Sequence, residues 1–239
     1  MNAHFLLHEA FEGPAAYETW ARDRGYPVTR TRFYEGETVP EEIDGFDLLV
    51  VMGGPQSPDT PKSECPHFDG EAERDFIRKC ADGGKAIVGV CLGAQILGEA
   101  FGARYGHSPE KEIGKFPVTL TEAGLADPFV GHFGRTFETG HWHADMPGLA
   151  DDSVVLAYSA GCPRQIVRYA PFAYGFQCHL EFTKSDIEGL IANSGNALRE
   201  PIADKFVQGA DELRRHDYAE MNEKLFAFLD RLTAAYSAR

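Results

Sequence analysis

Residues 85–102 read KAIVGVCLGAQILGEAFG, and this stretch decides the predicted fold. Lys85 to Val90 forms an apolar run of strand length, and the pattern through Gln95, Ile96 and Leu97 is typical of a helix. The tight turn GVCLG lies between them. A strand, a glycine-flanked turn and a helix in this order predict a nucleophile elbow at the end of a sheet strand.

Cys91 occupies the middle of this turn, with Gly89 and Gly93 on either side. Glycines relieve the backbone crowding that such a turn creates. Cys91 is therefore predicted to project above the carboxyl end of the sheet, where open α/β sheets bind ligands and where a helix N-terminus lowers the pKa of a thiol. The alternative is a buried structural cysteine, since free cysteine is among the most buried residue types.

The order of the other elements favours an α/β fold. Residues 3–8 and 47–52 are apolar runs of strand length, and residues 14–24 and 70–82 have helix-like patterns with plausible starts and stops. The continuous apolar run FDLLVVM is typical of a strand covered by helices on both faces, so we predict a doubly wound, mostly parallel sheet. Later pieces predict added antiparallel strands: FPVTLT, RTFETGHW, SVVLAYS, RQIVRYA and AYGFQCH.

The end of the chain predicts an amphipathic helix, because apolar residues recur at helical spacing between residues 211 and 236. Such a stripe more often packs on the protein's own sheet than on a partner. We expect one domain over residues 1–239, with a core of about 3–195 and a C-terminal helical extension of about 196–239.

Composition excludes several classes of partner. The 239-residue chain has 23 Lys and Arg against 37 Asp and Glu, a net charge of −14, which disfavours nucleic acid and anionic membrane surfaces. Five cysteines without a C-x-x-C pair fit a reducing compartment. The sequence shows neither a signal-peptide pattern nor a membrane-spanning apolar run. We therefore expect a cytoplasmic protein.

A cysteine nucleophile needs a base and a group that orients the base. The stretch GFQCHLEF offers His179 and Glu181, which share one face if this segment is extended. His179 lies 88 residues after Cys91, and such sites assemble in space rather than along the chain. The alternative is an ordinary surface pair of a histidine and a carboxylate.

The third candidate element is VVMGGPQSP, in which Gly53 and Gly54 follow a central apolar strand. Backbone N–H groups without an adjacent side chain can form an oxyanion hole. The alternative is a simple Gly-Gly-Pro turn.

The three motifs GGPQS, GVCLGAQ and GFQCHLE, in this order, resemble the class I glutamine amidotransferase domain, and most closely the amidotransferase part of GMP synthetase, over about residues 5–181. The resemblance implies a flavodoxin-like sheet with added antiparallel strands. It also implies the site residues: Cys91 as nucleophile, His179 as base, Glu181 as its orienting acid, the Gly54 and Leu92 amides as oxyanion hole, and Gly53, Gln95 and His143 as substrate contacts.

The sequence departs from the family pattern in two places, Ala94 where the family often has His and Leu180 where it often has Pro. HWHAD at 141–145 resembles the family's Ser-His-Gly-Asp segment. A competing interpretation is a metal site formed by His132, His141, His143 and Asp145, but this spacing matches no standard zinc pattern. We expect no metal and no other cofactor.

The resemblance implies cysteine-dependent hydrolysis of the γ-amide of glutamine, or of a γ-glutamyl compound, through a γ-glutamyl thioester. The phosphate loop of an ATP-pyrophosphatase domain is missing from this sequence. The expected partners are therefore a γ-glutamyl small molecule and, if ammonia is transferred, a separate synthase subunit. Alternatives are a stand-alone γ-glutamyl peptidase, a subunit that is active only with its partner, and a general cysteine esterase or peptidase.

Overall fold

A ten-stranded mixed sheet forms the centre of the computed structural model, which describes residues 1–198 and 204–239. The strands are β1 Ala3–Leu7, β2 Val28–Arg32, β3 Leu48–Val51, β4 Ala86–Val90, β5 Gly106–Leu120, β6 Thr136–Met146, β7 Val154–Ser159, β8 Ile166–Ala170, β9 Ala173–Phe176 and β10 Phe206–Val207. The helices are α1 Ala15–Asp23, α2 Gly70–Asp82, α3 Leu92–Ala100, α4 Glu122–Ala126, α5 Lys184–Asn193, α6 Ala210–Arg215 and α7 Ala219–Ser237.

One half of the sheet is parallel, with the strand order β2-β1-β3-β4-β9. Side chains of β3 alternate between two cores, because successive residues of a strand point to opposite faces. Leu48 and Val50 join the core under α1 and α7, and Leu49 and Val51 join the core under α2 and α3. The predicted doubly wound, flavodoxin-like architecture is confirmed.

The other half of the sheet is antiparallel and contains the predicted late strands. β9, β8, β7 and β5 pair in that order, and β6 forms a long antiparallel ladder with β5. The short strand β10 pairs in parallel with β5 at Glu112 and Ile113. Gly140 of β6 also forms a bridge with His179, just after β9, so β6 lies beside the carboxyl end of this strand and can contribute residues to a site there.

The predicted C-terminal helix is present but divided into α6 and α7. His216 is extended after α6, and the Tyr218 hydroxyl donates a hydrogen bond back to the Leu213 carbonyl at 2.8 Å, so the chain turns between the two helices. α7 packs its apolar stripe on the sheet as expected. Phe228 of this stripe lies 4.9 Å from the ring of Phe176, measured between ring centroids. Within the described residues, we find no helix with the length and apolar character to cross a bilayer.

Two glycines allow α3 to begin directly after β4. A methyl group on Gly93 would lie 2.1 Å from the carbonyl oxygen of Val51 in the neighbouring strand. A methyl group on Gly89 would lie 2.3 Å from the carbonyl oxygen of Gly93. Real Cβ atoms do not approach backbone oxygens this closely, so the contact between α3 and the sheet requires glycine at both positions.

We expect Gly93→Ala to lower the free energy of unfolding by about 1–3 kcal/mol, the usual cost of forcing an extra carbon into a packed interior. The midpoint of chemical denaturation reports the change in the free energy of unfolding. Gly45→Ala is the matched control, because nothing lies within 4 Å of a Cβ at this exposed glycine. Equal midpoints for the two variants would contradict the close contact at Gly93.

Candidate active site

Cys91 has a backbone conformation that side-chain-bearing residues rarely adopt. It lies between β4 and α3 with φ 52° and ψ −110°. Such strain is concentrated at functional sites, where the surrounding structure enforces it. The Cys91 amide donates to the Phe176 carbonyl of β9 at 2.7 Å, and the thiol lies 3.7 Å from the Trp142 carbonyl. Cys91 is 7% exposed and lines an open cavity.

His179 and Glu181 follow β9, the parallel neighbour of β4. Nδ1 of His179 contacts Oε1 of Glu181 at 2.6 Å, and both side chains are buried. Burial alone would lower the pKa of His179, but the Glu181 carboxylate and the Cys91 thiol raise it to about 10. Nε2 of His179 has no hydrogen-bond partner within the described parts of the chain. The ring is therefore oriented at one nitrogen and free at the other.

Gly53 shows how close the cysteine and the histidine lie. A methyl group on Gly53 would be 3.4 Å from Cβ of Cys91 and 3.7 Å from Cε1 of His179. The end of β3 thus brings the Gly-Gly-Pro loop against both side chains. The structure places the thiol, the imidazole and the carboxylate together at the carboxyl edge of the parallel strands.

Two other elements fix the segment that carries His179. The backbone of His179 exchanges two hydrogen bonds with Gly140 of β6, at 2.8 and 2.9 Å. Nδ2 of Asn222, on α7, donates to the carbonyls of Leu180 and Phe182 at 2.7 and 3.2 Å. The C-terminal helix therefore holds the carbonyls on either side of Glu181.

The structure brings Gly54 and Leu92, whose amides are the predicted oxyanion hole, close together. A methyl group on Gly54 would lie 3.1 Å from Cδ2 of Leu92, so the two residues are in close proximity. Leu92 is the first residue of α3, where backbone N–H groups have no partner inside the helix. Leu92 directly follows Cys91 in the chain, so Gly54 packs against the turn that carries the thiol.

The loop of Gly53 is held by a buried pair that the sequence analysis missed. Nδ1 of His8, just after β1, contacts the Gly53 carbonyl at 3.0 Å, and its Nε2 contacts Oε2 of Glu73 on α2 at 2.9 Å. Burial would lower the pKa of His8, but Glu73 raises it. His8 can therefore donate to Gly53 and fix the orientation of this loop.

A cavity of about 300 Å³ opens above Cys91. Gln95 and His143, both predicted substrate contacts, line it. Nε2 of Gln95 donates to Oε1 of Gln177 at 3.0 Å, while the buried Oε1 of Gln95 has no partner in the described residues. The charged side chains in the lining are Glu12, Lys111 and Asp145.

Glu12 is a second residue that the sequence analysis missed. Its carboxylate lies near Cys91 and His179, because a methyl group on Gly53, which would contact both, would be 2.7 Å from Oε2 of Glu12. Burial raises the pKa of Glu12 to about 7, against the opposing effects of His179 and His8. The sequence feature that could have identified Glu12 is its position shortly after β1, because loops at the carboxyl ends of strands bind ligands in this architecture.

The alternative metal set of His132, His141, His143 and Asp145 is not assembled in the described structure. His141 and His143 instead meet Glu112, with Nδ1 and Nε2 lying 3.5 and 3.3 Å from its Oε2. β6 places the two histidines on one face, and Glu112 lies opposite His143 in the paired strand β5. This pairing orients the His143 ring at the cavity wall.

The family model "Glutamine amidotransferase class-I" matches residues 19–195. The chain is 52% identical over 239 residues to the "Putative glutamine amidotransferase-like protein YfeJ" of Salmonella typhimurium, with all of both chains covered. The crystal structure of SMU.1228c superposes with a TM-score of 0.96 at 51% identity, covering 98% of this chain and 100% of that one.

A third relative bears on the predicted resemblance to GMP synthetase. A glutamine-hydrolyzing GMP synthase subunit of Thermoplasma volcanium is 27% identical over 175 residues, covering 66% of this chain and 76% of that one. The resemblance stated from the three motifs is confirmed. On the match over residues 19–195 and the similarity to YfeJ, the chain belongs to the class I glutamine amidotransferase family.

Proposed function

We propose that this protein hydrolyses the γ-amide of glutamine or of a γ-glutamyl compound by covalent catalysis at Cys91. The observation that carries the proposal is the strained Cys91 backbone beside an imidazole that is already paired with a buried carboxylate. A nucleophile, a base and a group that orients the base are what covalent catalysis requires. Family membership supports an enzyme of the glutamine amidotransferase type.

The reaction begins with a charged pair of side chains. With a pKa of about 10, His179 is an imidazolium at neutral pH, which stabilises a thiolate on Cys91. The thiolate attacks the γ-carbonyl carbon, and the Gly54 and Leu92 amides stabilise the oxyanion that forms. Nε2 of His179 then donates its proton to the departing amine, and a γ-glutamyl thioester remains.

Hydrolysis of the thioester returns the site to its starting state. Neutral His179 accepts a proton from water, the hydroxide attacks the thioester carbonyl, and glutamate leaves as Cys91 becomes a thiolate again. Glu181 keeps Nδ1 occupied in both half-reactions, so the same ring nitrogen, Nε2, donates and accepts the proton.

The charges of the cavity match the amino-acid head of such a substrate. Glu12 and Asp145 can pair with an α-ammonium group, and Lys111 can pair with an α-carboxylate. Glu12 has a specific reason to bind a cation, because it is buried near the carboxylates of Glu181 and Glu9, and His179 and His8 offset this only in part. An incoming ammonium group restores the balance of charge.

Ammonia release alone and ammonia transfer to a synthase subunit use this same chemistry. A screen of the isolated protein with glutamine, γ-glutamyl peptides and γ-glutamyl amines, reading released glutamate, identifies the leaving group. Turnover of simple esters without turnover of any γ-glutamyl compound would contradict the proposal.

We expect Cys91→Ala to abolish glutamate release without changing the fold, because Cys91 is the only thiol among the described residues that line the cavity. A glutamine-analogue electrophile should modify the wild-type protein at Cys91 alone, as mapped by peptide mass spectrometry. Cys65→Ser is the matched control, since Cys65 is a partly exposed thiol outside the cavity, and this variant should keep the modification. Residual turnover in Cys91→Ala would exclude the covalent mechanism.

Glu181→Gln should move the alkaline limb of the pH profile of kcat/KM to lower pH. Without the carboxylate, burial of His179 dominates and its pKa falls, so the imidazolium that protonates the leaving amine is lost well below pH 10. At pH 8 we expect kcat/KM to drop by about 100- to 10,000-fold, the usual contribution of general acid–base catalysis. Glu188→Gln, an exposed carboxylate paired with Arg214, serves as control. An unshifted alkaline limb would show that Glu181 does not act on His179.

Glu12→Gln should weaken discrimination between glutamine and its analogue without the α-amino group. A hydrogen bond to a charged group contributes about 1.5–3 kcal/mol, so the ratio of kcat/KM for the two compounds should fall by about 10- to 150-fold. The pKa of Glu12 is about 7 in the wild type, so its carboxylate becomes protonated as the pH falls through this value. We expect kcat/KM for glutamine to fall over the same pH range. In Glu12→Gln, this acidic limb of the pH profile should vanish. If the ratio stays constant, Glu12 does not bind the ammonium group.

A further inference from the structure

We propose that Glu9, Cys65 and His67 form a binding site for a thiophilic divalent metal ion, with Zn²⁺ as the best match. The three residues lie beside the Gly53–Gln56 loop, and none of them lines the cavity above Cys91. Their potential ligand atoms all lie within 4.8 Å of one another.

The contacts in this cluster converge on one point. Nε2 of His67 lies 3.1 Å from Oε1 of Glu9 and 3.3 Å from Sγ of Cys65. A catalytic base such as His179 uses one ring nitrogen for its orienting carboxylate and the other for the proton. In His67, both neighbours approach the same nitrogen, so the arrangement is that of a ligand set and not of a second triad.

The types of ligand and their spacing suit zinc. Thiolate, imidazole and carboxylate are its three common protein ligands, with bond lengths of about 2.0–2.3 Å in a tetrahedral arrangement. Neighbouring ligand atoms on such an ion are therefore about 3.3–3.8 Å apart. The separations of 3.1 and 3.3 Å around His67 are close to this range, so small side-chain movements complete the geometry.

Gln56 supplies a second observation that points to a cation. Its Nε2 lies between Glu9 and Cys65, 2.6 Å from Oε1 of Glu9 and 3.3 Å from Sγ of Cys65. Its other amide atom, Oε1, is buried and has no hydrogen-bond partner among residues 1–198 and 204–239. Rotating this amide by half a turn brings Oε1 into the cluster, where it can serve as a fourth, oxygen ligand in place of an unsatisfied buried acceptor.

The other cluster of possible ligands, Glu112, His141 and His143, is a weaker candidate. Its side chains are at most 1% exposed, it contains no thiol, and Glu112 already accepts hydrogen bonds from Ser159 and Gln165. In the proposed site, the side chains of His67 and Glu9 are 29% and 17% exposed, so an ion can reach them from solvent. The accessible, thiol-containing cluster is therefore the one we assign.

Gln56 also contacts the loop that carries Gly54. A methyl group on Gly54 would lie 2.5 Å from Oε1 of Gln56, so the amide packs directly against the residue whose N–H is the proposed oxyanion donor. An ion that rotates the Gln56 amide changes this packing. The proposed metal site and the loop of Gly54 thus share Gln56.

The test uses tag-free Cys91→Ala protein, so that the catalytic thiol does not bind the metal. Co²⁺ titration should produce a thiolate-to-cobalt charge-transfer absorption that saturates at one equivalent, and competition with a chromophoric chelator measures the Zn²⁺ affinity. Because the thiol must lose its proton, the affinity should rise with pH. Adding Cys65→Ser should abolish the absorption. Adding Cys65→Ser or His67→Gln should weaken Zn²⁺ binding by at least about 100-fold. Loss of a residue that only hydrogen-bonds to a metal ligand typically costs about 10- to 100-fold, and loss of a ligand itself should cost more.

His107→Ala in the same background is the matched control, because His107 is an exposed histidine next to a carboxylate but without a neighbouring thiol. It should leave the absorption and the affinity unchanged. Circular dichroism and thermal unfolding establish that each variant is folded. An unchanged cobalt spectrum in the Cys65→Ser variant would overturn the assignment, as would Zn²⁺ binding that is lost only in His141→Gln.

Discussion

The backbone of Cys91 is held at φ 52° and ψ −110°, and the rest of the site depends on this constraint. Residues in such conformations cost about 1–3 kcal/mol and persist only where the surroundings enforce them. Here β4 is fully buried between two helical layers, and α3 contacts β3 so closely that only glycine fits at residue 93. The packing of the central strands thus fixes the Cys91 thiol at their carboxyl edge and places the first amide of α3 beside it.

Parallel pairing then brings the partners to the same edge. β3, β4 and β9 are adjacent, so the residues that follow them, Gly54, Cys91 and His179, meet although they are far apart in sequence. Three buried histidine–carboxylate pairs lie around the cysteine. His8 with Glu73 holds the Gly53 loop, Glu181 orients the His179 ring, and Glu112 orients the His143 ring at the cavity wall. The C-terminal helix adds the Asn222 contacts to the His179 segment.

Sequence patterns predicted the elements whose signals are local. The helix over residues 70–82 was predicted with the bounds of α2, because apolar spacing and the glycines after it mark both its face and its end. β2 was missed, since VTRTR is an edge strand with a single buried residue and no apolar run. The roles of His8 and Glu12 escaped prediction for another reason: their partners, such as Glu73, come from distant segments that only the folded sheet brings near. The break between α6 and α7 likewise depends on the Tyr218 hydrogen bond, which spacing does not reveal.

Covalent catalysis at Cys91 is tested most directly by intact-mass spectrometry after acid quenching of the protein during turnover of glutamine. We expect a fraction of the protein to be heavier by one γ-glutamyl group, located on the peptide that contains Cys91 and released by hydroxylamine, as is typical of a thioester. Steady turnover of glutamine with no such adduct, at quench times shorter than one catalytic cycle, would contradict covalent catalysis at Cys91.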